Sequence, residues 1–209
     1  MSAERATNHL SEPNPPAQLA GFPTHTYPAG TAFVRSHSSG RGPWYFTNNG
    51  AGRFDLAGTH GTCYVAEDEV ITLLEKFGGM KAVPDYSIEG VSISSVSLAG
   101  DLVVADLTSN KGVAYGVTGE IFDTSNYPLT QRWAASLHAA GFAGVRYWAR
   151  HELEHDHRAV AIFDSAGARA DSATHGVNST DALVDRTDLL ERWQKETGVT
   201  ILVVPPVVL

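Results

Sequence analysis

The stretch from Ser36 to Gly61 limits this chain more than any other. It is rich in glycine, serine and asparagine, lacks apolar periodicity, and lies between two β-prone runs, TAFVR (31–35) and TCYVA (62–66). Connections of that length are uncommon in a compact domain unless they carry function or move. In the run EDEVITLLEKF (67–77), Val70, Leu73, Leu74 and Phe77 fall on one stripe, and Gly78-Gly79 follows, so a helix follows the second strand.

The remaining elements alternate without a regular unit. VSISSVSL (91–98) alternates and DLVVADL (101–107) is a continuous apolar run; with Gly100 between them they read as a two-stranded antiparallel unit. TQRWAASLHAA (130–140) puts Trp133, Ala134, Leu137 and Ala140 on one side and stops at Gly141, a second helix. GVRYW (144–148) and AVAIF (159–163) read as paired strands around a charged connection. DRTDLLERWQKETG reads as a third helix ending at Gly198, with a last strand over 200–205. Residues 1–23, with Pro13, Pro15, Pro16 and no apolar period, read as a disordered N-terminal arm. The length, 209 residues, then allows one domain over 24–209, of α+β class, and 43% apolar residues suffice for its core.

Fifteen basic against 23 acidic residues give a net charge of −8. That balance argues against nucleic acid as the partner and requires a local basic pocket for any anionic ligand. The single cysteine, Cys63, cannot form an internal disulfide and suits a reducing, cytoplasmic setting; inside a strand it reads as a small buried hydrophobe. No run of about 18 apolar residues is present, so no membrane association is expected.

The chemistry-bearing residues cluster between Arg35 and Glu75. Arg35 ends a strand, Arg53 lies in the glycine-rich turn GAGRFD, Tyr64 lies within the next strand, and Glu75 lies at the edge of the buried stripe of the following helix. Each residue singly has an ordinary structural reading: a surface ion pair, a core aromatic, a solubilising helix residue. Together, two guanidiniums suit a pyrophosphate, an aromatic ring can stack a flat heterocycle, and a shielded carboxylate can stabilise positive charge on a sugar. Those are the parts that cleavage of a dinucleotide's glycosidic bond needs.

In order, GTAFVR, GRFD and GTCYVAEDEVITLLE resemble the RES domain family, named for an arginine, a glutamate and a serine. The spacing from Tyr64 to Glu75 matches the family's, and VADLT, TQRWAASLHAAGFAGVRYWAR and AVAIF fit its later part, so the resemblance spans about residues 24–165. It implies an ADP-ribosyltransferase-like split β-sheet core with flanking helices, and an enzyme that degrades NAD⁺ by phosphorolysis or hydrolysis of the nicotinamide–ribose bond. By resemblance Arg35 and Arg53 would take the phosphates and Tyr64 the nicotinamide or its ribose. Glu75 would face the oxocarbenium-like sugar, with Glu75 and Arg35 as the catalytic pair. NAD⁺ is then substrate, with inorganic phosphate as a candidate co-substrate, no metal expected, and a small antitoxin protein as candidate partner of a toxin. The family serine has Ala149 at its place here, with Ser125 as a fallback. Two alternatives stay open: transfer of ADP-ribose to a macromolecule, and non-catalytic nucleotide binding.

Several features have plainer readings. His151-Glu152-Leu153-Glu154-His155 satisfies the zinc-protease pattern His-Glu-x-x-His but lies between two β-type runs with no apolar stripe, so a solvated hairpin loop is expected. Trp44, Tyr45 and Phe46 are lid candidates over a bound base, and His37 is expected to face solvent.

Overall fold

A computed structural model describes residues 9–170 and 175–205. In chain order its strands are β1 (Thr24–Tyr27), β2 (Ala32–Ser38), β3 (Tyr45–Phe46), β4 (His60–Ala66), β5 (Ala82–Pro84), β6 (Val91–Leu98), β7 (Leu102–Asp106), β8 (Gly144–Tyr147), β9 (Ala159–Ser165), β10 (Gly167–Ala168), β11 (His175–Ala182) and β12 (Thr200–Leu202). The helices are α1 (Glu69–Phe77), α2 (Tyr86–Glu89), α3 (Glu120–Asp123), α4 (Tyr127–Ala139) and α5 (Thr187–Thr197). Eight strands form one mixed sheet in the order β1-β7-β8-β9-β4-β2-β6-β11, and β10-β3 and β12-β5 form two small ladders beside it. The α+β expectation therefore holds, as does the pairing of 144–148 with 159–163, where Val145 faces Ala161.

The antiparallel unit expected of 91–98 and 101–107 does not form. β6 pairs with β2 and β11, whereas β7 pairs with β1 and β8. Tyr27 lies opposite Leu102 and Ala32 opposite Ser97, and between them Leu98 donates its N–H to Thr31 O and Gly30 donates to Leu98 O. β1–β2 and β6–β7 are thus two long bent strands whose ladder continues through the bend. Gly30, at φ 82°, and the turn at Gly100 change the chain's direction without reversing it. Each half then enters a different part of the sheet, which splits it.

This splitting divides the core by strand alternation. Along β4, Cys63 and Val65 pack inside the curved sheet with Phe33, Val96, Val104, Val160 and Ile162. Tyr64 and Ala66 face the opposite side, where Trp133, Ala134 and Leu137 of α4 cover the sheet. Helix α1 is capped by the Asp68 side chain, which accepts from Val70 N–H, and by Gly78 at φ 60°. It buries Val70, Leu73 and Phe77 in a third cluster with Val91, Ile93 and Trp193.

Three expectations are corrected here. Residues 9–23 of the proposed arm pack onto the domain: Leu19 is fully buried, Phe22 meets Tyr115 and Phe142, Trp133 Nε1–H donates to Ser11 O, and Arg132 grips Glu12 bidentately. Pro15 and Pro16 lead into a short 3-10 turn, Pro16–Gln18, that packs against α4, so the prolines there do not signal looseness; residues 1–8 of that arm lie outside the described residues. Trp44 and Phe46 are no lid. Both are buried, and β3 is held by β10 and by the reciprocal bonds between Thr47 and Thr62. His37 is buried as well, at bonding distance of Ser94 Oγ through Nε2 (2.8 Å) and of Ser38 O through Nδ1.

Candidate functional site

One cleft of about 300 Å³ lies beside the outer face of β4, and all four expected site residues, Arg35, Arg53, Tyr64 and Glu75, line it. Arg35 comes from β2, Tyr64 from β4 and Glu75 from α1, so the strand–loop–strand–helix order of the sequence folds back onto one hollow. Lys76, Tyr127, Tyr147, Arg150 and His151 complete much of the wall.

The long loop is clamped where it meets the cleft. Gly52 N–H donates to Asp55 Oδ2, and Tyr64 Oη donates to Asp55 Oδ1 (2.9 Å) while accepting from Phe54 N–H (2.9 Å). The phenol of Tyr64 is therefore fully engaged, and its ring is what remains to offer a ligand. Thr130 Oγ1 donates to Arg53 O, and Gln131 Nε2 donates to the carbonyls of Gly50 and Gly52. The Arg53 guanidinium spends Nη1 on Thr124 O (2.7 Å) and Ile121 O and sits 5.0 Å from the centre of the Tyr127 ring. Its Nε and Nη2 hold no partner among the described residues.

Glu75 is oriented from two sides. Tyr147 Oη donates to Oε2 (3.1 Å) and Arg150 N–H donates to Oε1 (3.2 Å). The residue keeps solvent contact through the cleft although protein surrounds it on most sides, and burial pushes its carboxyl above the ordinary glutamate range. The Tyr147 hydrogen bond, then Arg150, Arg53 and His151, pull it part of the way back. Burial also drives the phenols of Tyr64 and Tyr147 well up, so both stay protonated donors.

The two guanidiniums share the cleft but not one neighbourhood. Arg53 acts on Glu75 and Tyr147, whereas Arg35 acts on Lys76 and Cys63. Arg35 Nη1 donates to Pro43 O and points at Cys63 Sγ (2.8 Å), which fixes its reach. Cys63 is fully buried and burial pushes its thiol up, as suits a structural cysteine. Among the described residues Arg35, Arg53, Lys76 and Arg150 form no ion pair, and Glu75 is the only carboxylate that lines the cleft. This is the local basic pocket that an acidic chain requires for an anion.

Sequence reasoning missed Tyr147, Arg150 and Lys76. Lys76 adjoins Glu75 in the chain, but Tyr147 and Arg150 reach it only because β8 lies two strands from β4, with β9 between. Ala149 is buried beside them, and Ser125 is not among the residues that line the cleft. The His-Glu-x-x-His segment is a loop whose residue His155 has φ 59°, so the two histidines do not share a helix face. Its Glu152 is buried, against the expectation of a wholly solvated loop. Among the described residues no group of three or more His, Cys, Asp or Glu side chains is arranged to hold a metal ion, and no helix is long and apolar enough to cross a membrane.

Comparison with known proteins follows the same lines. The RES domain pattern matches residues 25–185, more than half of the chain. A chain of the crystal structure of the M. tuberculosis MbcT–MbcA toxin–antitoxin complex superposes with a TM-score of 0.59 over 83% of this chain and 92% of that one, at 15% identity. That similarity is one of fold. No curated protein sequence matches the chain.

Proposed function

This chain belongs to the RES domain family, and on that premise we propose that it cleaves the nicotinamide–ribose N-glycosidic bond of NAD⁺, as the toxin of a toxin–antitoxin pair. The observation that supports this reading best is the convergence, in a single cleft, of one oriented carboxylate, Glu75, with four cations that form no ion pair among the described residues.

The chemistry follows from charge. As the C–N bond breaks, its electron pair leaves with nicotinamide, and positive charge spreads over C1″ and the ring oxygen of the ribose. The Glu75 carboxylate, held at a fixed distance by Tyr147 and Arg150 N–H, stabilises that charge more than it stabilises the ground state. Nicotinamide departs neutral, so no acid is needed at that bond and one carboxylate suffices. Water or a phosphate oxygen then bonds to C1″, losing a proton to solvent in the case of water. Arg35 and Arg53 bind the diphosphate and keep the ribose in reach, and the Tyr64 ring packs on the heterocycle or its sugar.

The test is incubation of the purified protein with NAD⁺, with and without inorganic phosphate, followed by mass analysis. Release of nicotinamide with ADP-ribose, or with its 1″-phosphate only when phosphate is present, is the expected result. Intact NAD⁺ beside calorimetric binding would leave a nucleotide-binding protein, the outcome that Ala149 at the serine's place favours. Label from NAD⁺ appearing on lysate macromolecules would assign a transferase.

A further inference from the structure

The cleft holds more positive charge than a dinucleotide diphosphate requires. Outside it, Arg132, Arg146, Arg169, Arg186 and Arg192 each hold a carboxylate, while Arg158 and the exposed Lys81, Lys111 and Lys195 form no ion pair among the described residues but are scattered and not gathered around one hollow. The chain has acidic groups to spare, 23 against 15 basic ones, yet Arg35, Arg53, Lys76 and Arg150 stand unpaired around the cleft among the described residues. Two phosphodiester-type charges would balance two of these. At the Arg35 side the last turn of α1 brings Lys76 to the wall, and just beyond the lining residues Arg41, in the turn after β2, acts on Lys76 while its guanidinium lies 4.7 Å from the centre of the Tyr45 ring. Burial and then the repulsion of Arg35 and Arg41 hold the Lys76 ammonium below its ordinary range, a cost that a bound dianion would remove.

We propose that Lys76 and Arg41, beside the diphosphate-binding Arg35, form a subsite for a phosphate monoester, and that its occupant is the 2′-phosphate of a phosphorylated dinucleotide, so that NADP⁺ is preferred to NAD⁺. A monoester carries about −1.5 to −2 charges at neutral pH, which matches the cations left over by the diphosphate. Arginine supplies a planar fork and lysine a compact point charge to the same oxygens. The proposal rests on the dinucleotide reading above and adds its substrate class.

Two measurements test it. The ratio of kcat/KM for NADP⁺ to that for NAD⁺ should exceed one in the wild type and fall about tenfold in Lys76→Ala and in Arg41→Ala, the loss of one charge-assisted contact. Arg41 is exposed and Lys76, though partly enclosed by the cleft wall, still reaches solvent and belongs to no buried cluster, so neither variant threatens the fold. Calorimetry with adenosine 2′,5′-bisphosphate against adenosine 5′-monophosphate reads the subsite without any turnover, and the bisphosphate should bind more tightly only while Lys76 is present. A wild-type ratio at or below one, or variants that lower both substrates equally, would overturn the proposal. Variants that raise KM for inorganic phosphate with the ratio unmoved would assign these cations to free phosphate and overturn the 2′-phosphate. Discrimination between the two adenosine nucleotides without consumption of either dinucleotide would support the subsite while refuting glycosidic cleavage.

Discussion

Replacing Tyr147 by phenylalanine tests how Glu75 is kept in its working state. The change deletes the hydroxyl that donates to Oε2 at 3.1 Å and leaves the Arg150 N–H on Oε1. Burial already raises the Glu75 carboxyl, and the Tyr147 hydrogen bond is the largest influence opposing it. A hydrogen bond to a charged group contributes about 1.5–3 kcal/mol. Without that bond the carboxyl should rise further above its wild-type value. In the mechanism proposed above the carboxylate is the active form, and it is lost as pH falls through that pKa. The acid limb of kcat/KM, which reports the free enzyme, should therefore move to higher pH by the same amount. Well above the limb the ring and the Arg150 N–H still position the carboxylate, and the rate should stay within about tenfold of wild type. Nicotinamide release measured across the acidic and neutral range gives the limb, and an NMR titration of the labelled glutamate gives the pKa itself. A curve that drops as a whole with its inflection in place would refute this role and leave Tyr147 as a packing residue.

Three other outcomes follow from the same geometry. Gly52→Ala would drive a Cβ into Asp55 Oδ1 and the Tyr64 phenol, with Tyr64 Cζ at 2.8 Å; dinucleotide affinity measured by calorimetry should fall about tenfold or more, a clash of this kind costing roughly 1–3 kcal/mol, and unchanged affinity would show that the 52–55 turn does not shape the cleft. Leu19→Ala removes a fully buried side chain and should lower stability by about 2–5 kcal/mol in urea unfolding, whereas a loss below about 0.5 kcal/mol, the range of surface changes, would restore the loose arm. Cys63, buried with its thiol pushed up, should resist a disulfide-exchange reagent in the native protein and react fully in guanidinium, and equal rates in the two states would refute its burial.

Local pattern fixed much of this molecule. The 3.6-residue stripe of 70–77 and the caps at Asp68 and Gly78 specify α1, and the period-two and continuous apolar runs specify β2, β4, β6, β7 and β9. These are short-range preferences, and they hold whichever strand becomes the neighbour. The order Arg35, Arg53, Tyr64, Glu75 was legible too, because side-chain chemistry does not depend on the fold. Partner choice was not. An apolar run such as 102–106 can pair with any strand that covers its backbone, and the preference for β1 and β8 over β6 is decided by burying Val104 within the curved sheet and Ala105 against the opposite core. For the same reason Trp44 and Phe46, in a segment that reads as loop, become core once β10 arrives from far along the chain.

The primary structure by itself determined which elements form and which charged groups are available, since propensity and charge reside in each residue. Tertiary structure alone decided that Tyr147 and Arg150 hold Glu75 and that Arg53 is clamped by α3 and the turn after it. It also decided that residues 9–23 are packed. Those contacts join positions 68–122 residues apart in the chain, and only the collapse of the split sheet and its covering helices brings such positions within bonding distance.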